Sequence, residues 1–112
     1  MIRSTTPRHV FVFEDIDPVE NFSQILISYA QNDQIILEKN KDDLEFSTET
    51  CGKKQVYIAS YRLTQEETKL FSSKPRNVVE VQVRALTNGG DVYASDKRSI
   101  TVQDVLNDEV LV

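Results

Sequence analysis

The stretch of sequence that decides the fold runs from Tyr57 to Asp91 and reads YIASYRLTQEETKLFSSKPRNVVEVQVRALTNGGD. Residues 57–63 and the residues from 77 onward are rich in β-branched and aromatic side chains, which predicts two strands. The sequence NGGD at residues 88–91 supplies turn formers that reverse the chain. This order of strand, short polar turn, strand and glycine turn is typical of a corner in a β-sandwich.

The polar turn between these two strands carries a helix signal of its own. Thr64 is followed three residues later by Glu67, which is the spacing of a capping box. Pro75 ends the turn, because the residue before a proline is pushed away from helical backbone angles. We therefore predict a short helical turn near residues 65–71, with Phe71 or Leu70 as an apolar plug at the open end of the sandwich.

The rest of the chain points to the same fold class, because short apolar or alternating runs alternate with turn formers. About seven strands are predicted, at residues 9–13, 25–30, 35–39, 44–47, 55–63, from 77 onward, and 92–102 with a bulge near 95–97. Leu44 and Phe46 are predicted to point inward, and residues 48–54 to form a loop. This pattern favours an all-β, immunoglobulin-like antiparallel β-sandwich. The alternative is an α+β fold in which residues 19–30 or the tail form a helix, and residues 19–24 stay open between helix and strand.

Length and composition restrict the class of protein further. The chain has 112 residues, the usual size of one domain. We expect a single β-sandwich domain over residues 1–112, with a loose lead-in at 1–8 and an assembly tail at 104–112. The net charge of −5 disfavours nucleic acid as a partner, because the phosphate backbone is negative as well. No apolar run approaches the ~20 residues that span a bilayer, so we expect a soluble cytoplasmic protein without a membrane partner.

Few residues suggest catalytic or metal chemistry. His9 is the only histidine and Cys51 the only cysteine, so nucleophilic catalysis by the thiol would need this one imidazole as its base. The acidic clusters at residues 14–17, 42–43 and 107–109 lack the spacing and the closing bidentate glutamate of a calcium loop. The sequence therefore predicts no catalytic residue, no cofactor and no metal site.

Several segments taken together resemble a group of small phage and prophage proteins of Gram-positive bacteria. The segments are TTPRHVF (residues 5–11), ISYAQND (27–33), ILEK (36–39), RLTQEET (62–68), VQVRALT (81–87), YASD (93–96) and LNDEVL (106–111). The turn LTQEET before a long strand is also similar to immunoglobulin-like domains of phage baseplate proteins. The resemblance implies a phage-encoded β-sandwich and no assigned activity.

The first functional hypothesis is a non-enzymatic structural or protein-interaction module that a phage or prophage encodes and that associates with the virion. Its partners would be other phage structural proteins or further copies of itself in a homo-oligomer, bound through an edge strand or through the tail. It would lie in the bacterial cytoplasm during assembly and then in the virion. The apolar tail residues Val105, Leu106, Val110 and Leu111 either dock on a partner through strand addition or pack on their own domain.

The alternative hypothesis is a small binding domain that recognises a host-surface ligand such as a carbohydrate. Aromatic side chains offer flat surfaces on which sugar rings stack. Tyr57, Tyr61 and Tyr93 are the candidates for these surfaces.

Overall fold

A computed structural model of the protein describes residues 1–13, 22–107 and 109–112. Eight strands and one α-helix follow one another along these residues: β1 (Arg8–Phe13), β2 (Phe22–Gln31), β3 (Gln34–Asn40), β4 (Glu45–Cys51), β5 (Lys54–Arg62), α1 (Gln65–Lys69), β6 (Val78–Thr87), β7 (Val92–Ala94) and β8 (Arg98–Thr101). A 3-10 turn, Lys41–Asp43, leads into β4. The predicted all-β class is confirmed.

The strands form two antiparallel sheets. The smaller sheet has the order β1-β5-β4, and the larger has the order β3-β2-β6, with β7 and β8 both paired to the far side of β6. Phe22, Ser23 and Gln24 belong to β2, so the helix that an α+β fold would need at residues 19–30 is excluded for 22–30. Residues 19–21 lie outside the described part of the chain.

The core lies between the two sheets, and the larger sheet supplies most of it. Val79, Val81, Val83 and Ala85 are all buried, and Glu80 and Arg84 between them are exposed. Buried and exposed side chains therefore alternate along β6, which confirms the strand predicted from residue 77 onward. The other buried apolar side chains are Phe22, Ile25, Ile27, Tyr29, Leu44, Val56, Ala59, Tyr61, Leu63, Phe71 and Val102.

Two hairpins have tight two-residue turns. Asn32 and Asp33 join β2 to β3 with φ of 53° and 62°, the two positive angles of a type I′ turn. Gly52 joins β4 to β5 with φ of 66° at the first turn position. The loop predicted over residues 48–54 was therefore wrong, because Thr48, Glu49 and Thr50 continue an edge strand that needs few apolar side chains.

The orientation predicted for the fourth strand is only half right. Leu44 is buried, but it precedes the strand. Phe46 is 38% exposed, since β4 is the edge of the smaller sheet and covers little of the core there.

The strand predicted over residues 92–102 is split into β7 and β8 where we expected a bulge. Between them Ser95 stays attached to β6. Its N–H donates to the Val83 carbonyl at 2.8 Å, and its hydroxyl accepts from the Val83 N–H at 3.0 Å. The Ser95 side chain thus replaces the backbone acceptor that a regular strand would present, which lets the chain bend without leaving a donor unpaired.

The first residues of the chain cross from one sheet to the other. Ile2 pairs in parallel with Gln103 just after β8, whereas Pro7 accepts a 2.9 Å hydrogen bond from Leu63 at the start of the β1–β5 ladder. The Arg3 N–H donates to the Gln103 carbonyl at 2.9 Å, and the Gln103 N–H donates to the Met1 carbonyl at 2.8 Å. The lead-in is therefore a paired segment in the structure, in contrast to the loose one that we expected.

Candidate interaction site

The predicted capping box is present at the start of α1. Glu67 N–H donates to Thr64 Oγ1 at 3.1 Å, and Thr64 N–H donates to Glu67 Oε1 at 2.9 Å. Thr64 has extended backbone angles, as an N-cap residue should. The reciprocal pair satisfies two donors that the helix start and its cap would otherwise leave open, so α1 forms although it spans only five residues.

Phe71 is the apolar plug of this corner, and Leu70 is not. Phe71 is fully buried with its ring centroid 5.7 Å from that of Tyr29, whereas Leu70 is 56% exposed. Thr68 fixes the helix to the lead-in, since its buried hydroxyl donates to the Thr5 carbonyl at 3.1 Å. The corner therefore joins the lead-in to the core of the sandwich.

A polar network of five side chains lies beneath the corner: His9, Tyr29, Lys39, Tyr61 and Glu67. His9 Nδ1 lies 2.6 Å from the Tyr29 hydroxyl, which is hydrogen-bonded in turn to the Tyr61 hydroxyl. The Lys39 ammonium forms an ion pair with Glu67 and lies 5.9 Å from the centroid of the Tyr61 ring. Each member comes from a different element, so the network connects β1, β2, β3, β5 and α1.

The protonation of this network follows from its burial. Desolvation raises the pKa of Tyr29 and of Tyr61, so both phenols stay neutral. Burial, together with the positive amino terminus, lowers the pKa of His9. Burial alone would raise the pKa of Glu67, but the hydrogen bonds from Lys39 and Thr64 outweigh it and lower that pKa. The arrangement favours a neutral imidazole beside a single closely held ion pair.

The hydrogen bonds and the ion pair of the polar network hold the two sheets and α1 together. The tyrosines that contact His9 are deeply buried and neutral, so neither offers an accessible nucleophile. The Cys51 thiol, which we considered as a partner for His9, is not among the side chains that the structure describes, although the backbone of Cys51 belongs to β4. Within residues 1–13, 22–107 and 109–112, no group of three His, Cys, Asp or Glu side chains is placed to share a metal ion.

The tail after β8 returns to the corner. The Gln65 side-chain amide forms two hydrogen bonds with the backbone of Leu111. Its Nε2 donates to the Leu111 carbonyl and its Oε1 accepts from the Leu111 N–H, both at 2.7 Å. Val105 and Val110 are partly buried, whereas Leu106 is fully exposed and Leu111 is 78% exposed. The structure therefore does not gather the four predicted tail residues into one cluster, and only Leu111 contacts the corner through a described hydrogen bond.

The first tail residue is anchored to the lead-in. Asp104 accepts from the Ser73 hydroxyl and from the Arg3 guanidinium, the latter at 3.0 Å. These two hydrogen bonds lower the pKa of Asp104. The tail thus leaves the sandwich at the end where β1 begins.

A further feature, which was not predicted from the sequence, is the outer edge of β1. Leu63 donates its N–H to Pro7, and the β1–β5 register pairs Arg8 with Arg62. Hydrogen-bonded and non-hydrogen-bonded pairs alternate in an antiparallel ladder, so the backbone groups of Arg8, Val10 and Val12 face away from β5. No other strand among the described residues pairs with this edge.

A groove of about 560 Å³ runs beside this edge, between β1 and the strands β6 and β8. Its walls are mostly apolar and include Phe11, Phe13, Val83 and Ile100. The polar residues along it are Arg8, His9, Ser95, Asp96 and Arg98, although the Arg8 guanidinium itself contacts Glu45 and Ser60 on the outer face of the sheet. Val10 and Val12, on the opposite face of β1, are each 55% exposed. We call the β1 edge and this groove together the β1 groove.

The sequence did contain a signal of the β1 groove. The run HVFVF at residues 9–13 is apolar on both faces, which suggests a strand covered on both sides. In the structure one edge and one face of β1 are open. The apolar pattern of β1 and its exposure therefore do not match.

The remaining candidate residues are dispersed. Tyr61 is buried in the polar network and cannot stack on a ligand, while Tyr57 packs against the core and Tyr93 is 49% exposed.

Within the described part of the chain, no helix is long and apolar enough to cross a membrane. No protein-family model and no curated protein matches the sequence.

Proposed function

We propose that the protein is a non-enzymatic interaction module of a phage or prophage, and that it binds an extended segment of another virion protein or of a further copy by strand addition on β1. The observation that carries this proposal is the β1 groove. The edge presents the N–H and C=O groups of Arg8, Val10 and Val12 in the alternating spacing that an added strand requires. The adjoining groove supplies apolar contacts for every second side chain of that strand.

The lack of edge protection supports the same proposal. Sheets that must avoid edge pairing usually carry lysine, proline or a bulge in the middle of the edge strand. In β1 the middle of the strand is Val10, Phe11 and Val12 in regular register with β5. An edge of this kind favours a partner strand over solvent.

The order of the strands supports an immunoglobulin-like arrangement for this module. The order β1-β5-β4 corresponds to strands B, E and D of an immunoglobulin domain, and β3-β2-β6 with β7 and β8 corresponds to C′, C, F and G. In such a domain strand A pairs with the free edge of strand B. A partner segment on β1 would occupy that position.

The experiment compares two proline variants in a culture that produces the phage. Val10→Pro removes an N–H that points away from β5, so it blocks the added strand and leaves the β1–β5 ladder intact. Thr48→Pro is the matched control, because by the same alternation its N–H points outward from the opposite edge of the sheet, on β4. The quantity measured is the fraction of the protein that sediments with purified particles.

We expect the wild type and Thr48→Pro to sediment with the particles and Val10→Pro to be lost from them. Circular dichroism must first show that both variants are folded. Absence of the wild-type protein from particles would contradict virion association. Equal retention of both variants would contradict docking on β1.

A further inference from the structure

We infer that the segment that fills the β1 groove is the tail of a second copy of this chain, residues 107–112. The inference rests on the proposed function, since it names the partner of the edge proposed above. The sequence of the segment is NDEVLV. Six residues of extended chain span about 20 Å, which is also the length of the six-residue strand β1.

The tail has the exposed apolar surface that a docking segment needs. Leu111 and Val112 are exposed, and the described hydrogen bonds that hold the end of the tail are the two between Leu111 and the Gln65 amide. No residue from 104 to 112 in the described structure belongs to a strand. The tail can therefore leave its own corner at the cost of two exposed hydrogen bonds, which water replaces, and of the partial burial of Val110.

The residue pattern of the tail matches the β1 groove. In an extended chain Val110 and Val112 share one face, and this face fits the apolar wall of Phe11, Phe13 and Ile100. The two acidic residues Asp108 and Glu109 precede these valines.

The charges also match. Arg8, Arg98 and Asp96 border the β1 groove, but the Arg8 guanidinium is turned to the outer face of the smaller sheet, where it contacts Glu45 and Ser60. The Arg8 guanidinium already lies 3.0 Å from Glu45, but no ion pair is formed by Arg98 within the described part of the structure. An acidic segment that ends in valines thus brings negative charge to Arg98 and apolar side chains to the wall of the groove.

The position of the tail favours exchange between two copies. The tail starts at Asp104, beside Arg3, and its Leu111 is fixed at α1, so it runs over the corner and not along its own β1. A neighbouring molecule that presents its β1 groove can accept the tail without any rearrangement of the core. Reciprocal exchange would produce a closed dimer with the same contact made twice.

The first test is the oligomeric state of the full chain, measured by light scattering and sedimentation velocity over a range of concentrations. We expect a wild-type dimer. The double variant Val110→Asp/Val112→Asp places carboxylates against the apolar wall and should raise the dissociation constant more than ~10-fold, as should Val10→Pro. Leu106→Ser and Thr48→Pro are the controls, because both change exposed positions outside the proposed contact.

The second test identifies the contact itself. In a Cys51→Ser background, a chain with Val12→Cys is mixed with a chain that carries Leu111→Cys and is oxidised gently. A disulfide between the two different chains supports tail exchange. A disulfide formed within one chain that carries both substitutions, with no cross-linked dimer, would show that the tail enters its own groove and would overturn the inference.

The outcomes separate this inference from the proposed function. A monomer at every concentration, or a dimer that is indifferent to the tail variant, overturns tail exchange. If Val10→Pro still removes the protein from particles in that case, docking on β1 stands with another virion protein as the partner. If Val10→Pro changes neither particle association nor dimerisation, both proposals fail.

Discussion

Thr64 makes the most local contribution to the fold. Its hydroxyl is the N-cap acceptor of α1, and its own N–H is capped by Glu67. Both bonds lie within four residues of sequence, so the pair was predictable from spacing alone. Glu67 also reaches Lys39 on β3, and nothing in the sequence near residue 67 indicates that contact.

Replacement of Thr64 by alanine removes the cap acceptor and leaves the Glu67 N–H without a partner. We expect Thr64→Ala to lower the free energy of unfolding by about 0.5–2 kcal/mol, measured by urea denaturation. Thr64→Ser keeps the hydroxyl and should retain most of the stability. Equal stability of all three proteins would show that the cap contributes nothing.

Phe71 and its neighbour Leu70 allow a comparison of two adjacent apolar residues. Phe71 is fully buried against Tyr29, so Phe71→Ala should cost about 3–5 kcal/mol through lost burial and a cavity. Leu70→Ala should change the stability by less than about 0.5 kcal/mol, because the side chain is largely exposed. Denaturant midpoints of both variants provide the measurement. A larger loss for Leu70→Ala would contradict the assignment of the plug.

His9 makes stability depend on pH. Burial lowers its folded pKa below the ordinary value of 6.5, so between these two values the unfolded chain binds a proton that the folded chain does not. The free energy of unfolding therefore rises with pH in this window. The His9 contribution is fully present above about pH 6.5 and is lost as the pH falls towards the folded pKa.

The measurement for this prediction is the urea midpoint of the wild type and of His9→Gln between pH 7.5 and pH 5, on the order of one pH unit either side of the ordinary pKa. We expect the wild type to lose stability on acidification and the variant, whose amide does not titrate, to lose less. Glu67 acts in the same direction, but only at a lower pH, because its folded pKa lies below 4.5. Parallel profiles of the two proteins would contradict the role of His9.

At the scale of elements, the strand pattern was predictable where one strand faces the core on one side and solvent on the other. The alternation of β6 is the clearest case. The polar network was not predictable, because its five members lie on five elements that only the tertiary fold brings together. The β4–β5 hairpin was missed because β4 is an edge strand with Ser47, Thr48 and Thr50, which give no apolar signal.

The break between β7 and β8 depends on one hydroxyl. Ser95→Ala would leave the Val83 N–H without its acceptor, and we expect a loss of about 1–3 kcal/mol in the free energy of unfolding. Ser99→Ala is the control, since Ser99 is exposed on β8 and its side chain makes no hydrogen bond in the described structure. Faster amide exchange at Val83 in Ser95→Ala would locate the effect. An unchanged exchange rate would contradict it.

At the scale of the whole molecule, the two sheets are joined on one side of the sandwich and open on the other. The corner, the polar network and the lead-in connect the sheets on the side of α1, whereas the β1 groove lies between them along the outer edge of β1. The all-β class followed from the count of short strands. The open side of the sandwich could not be predicted, because it depends on which strands become neighbours in the fold and not on the sequence of any one strand.

The parallel pairing of the first and last segments has a mechanical consequence. Met1 and Arg3 are tied to Thr101 and Gln103 by three bonds of 2.7–2.9 Å, between segments that run in the same direction. A force that pulls the two ends of the chain apart slides these segments past each other and strains all three bonds at once. Single-molecule stretching should therefore meet its main resistance at this clamp, after the tail has peeled away from Gln65.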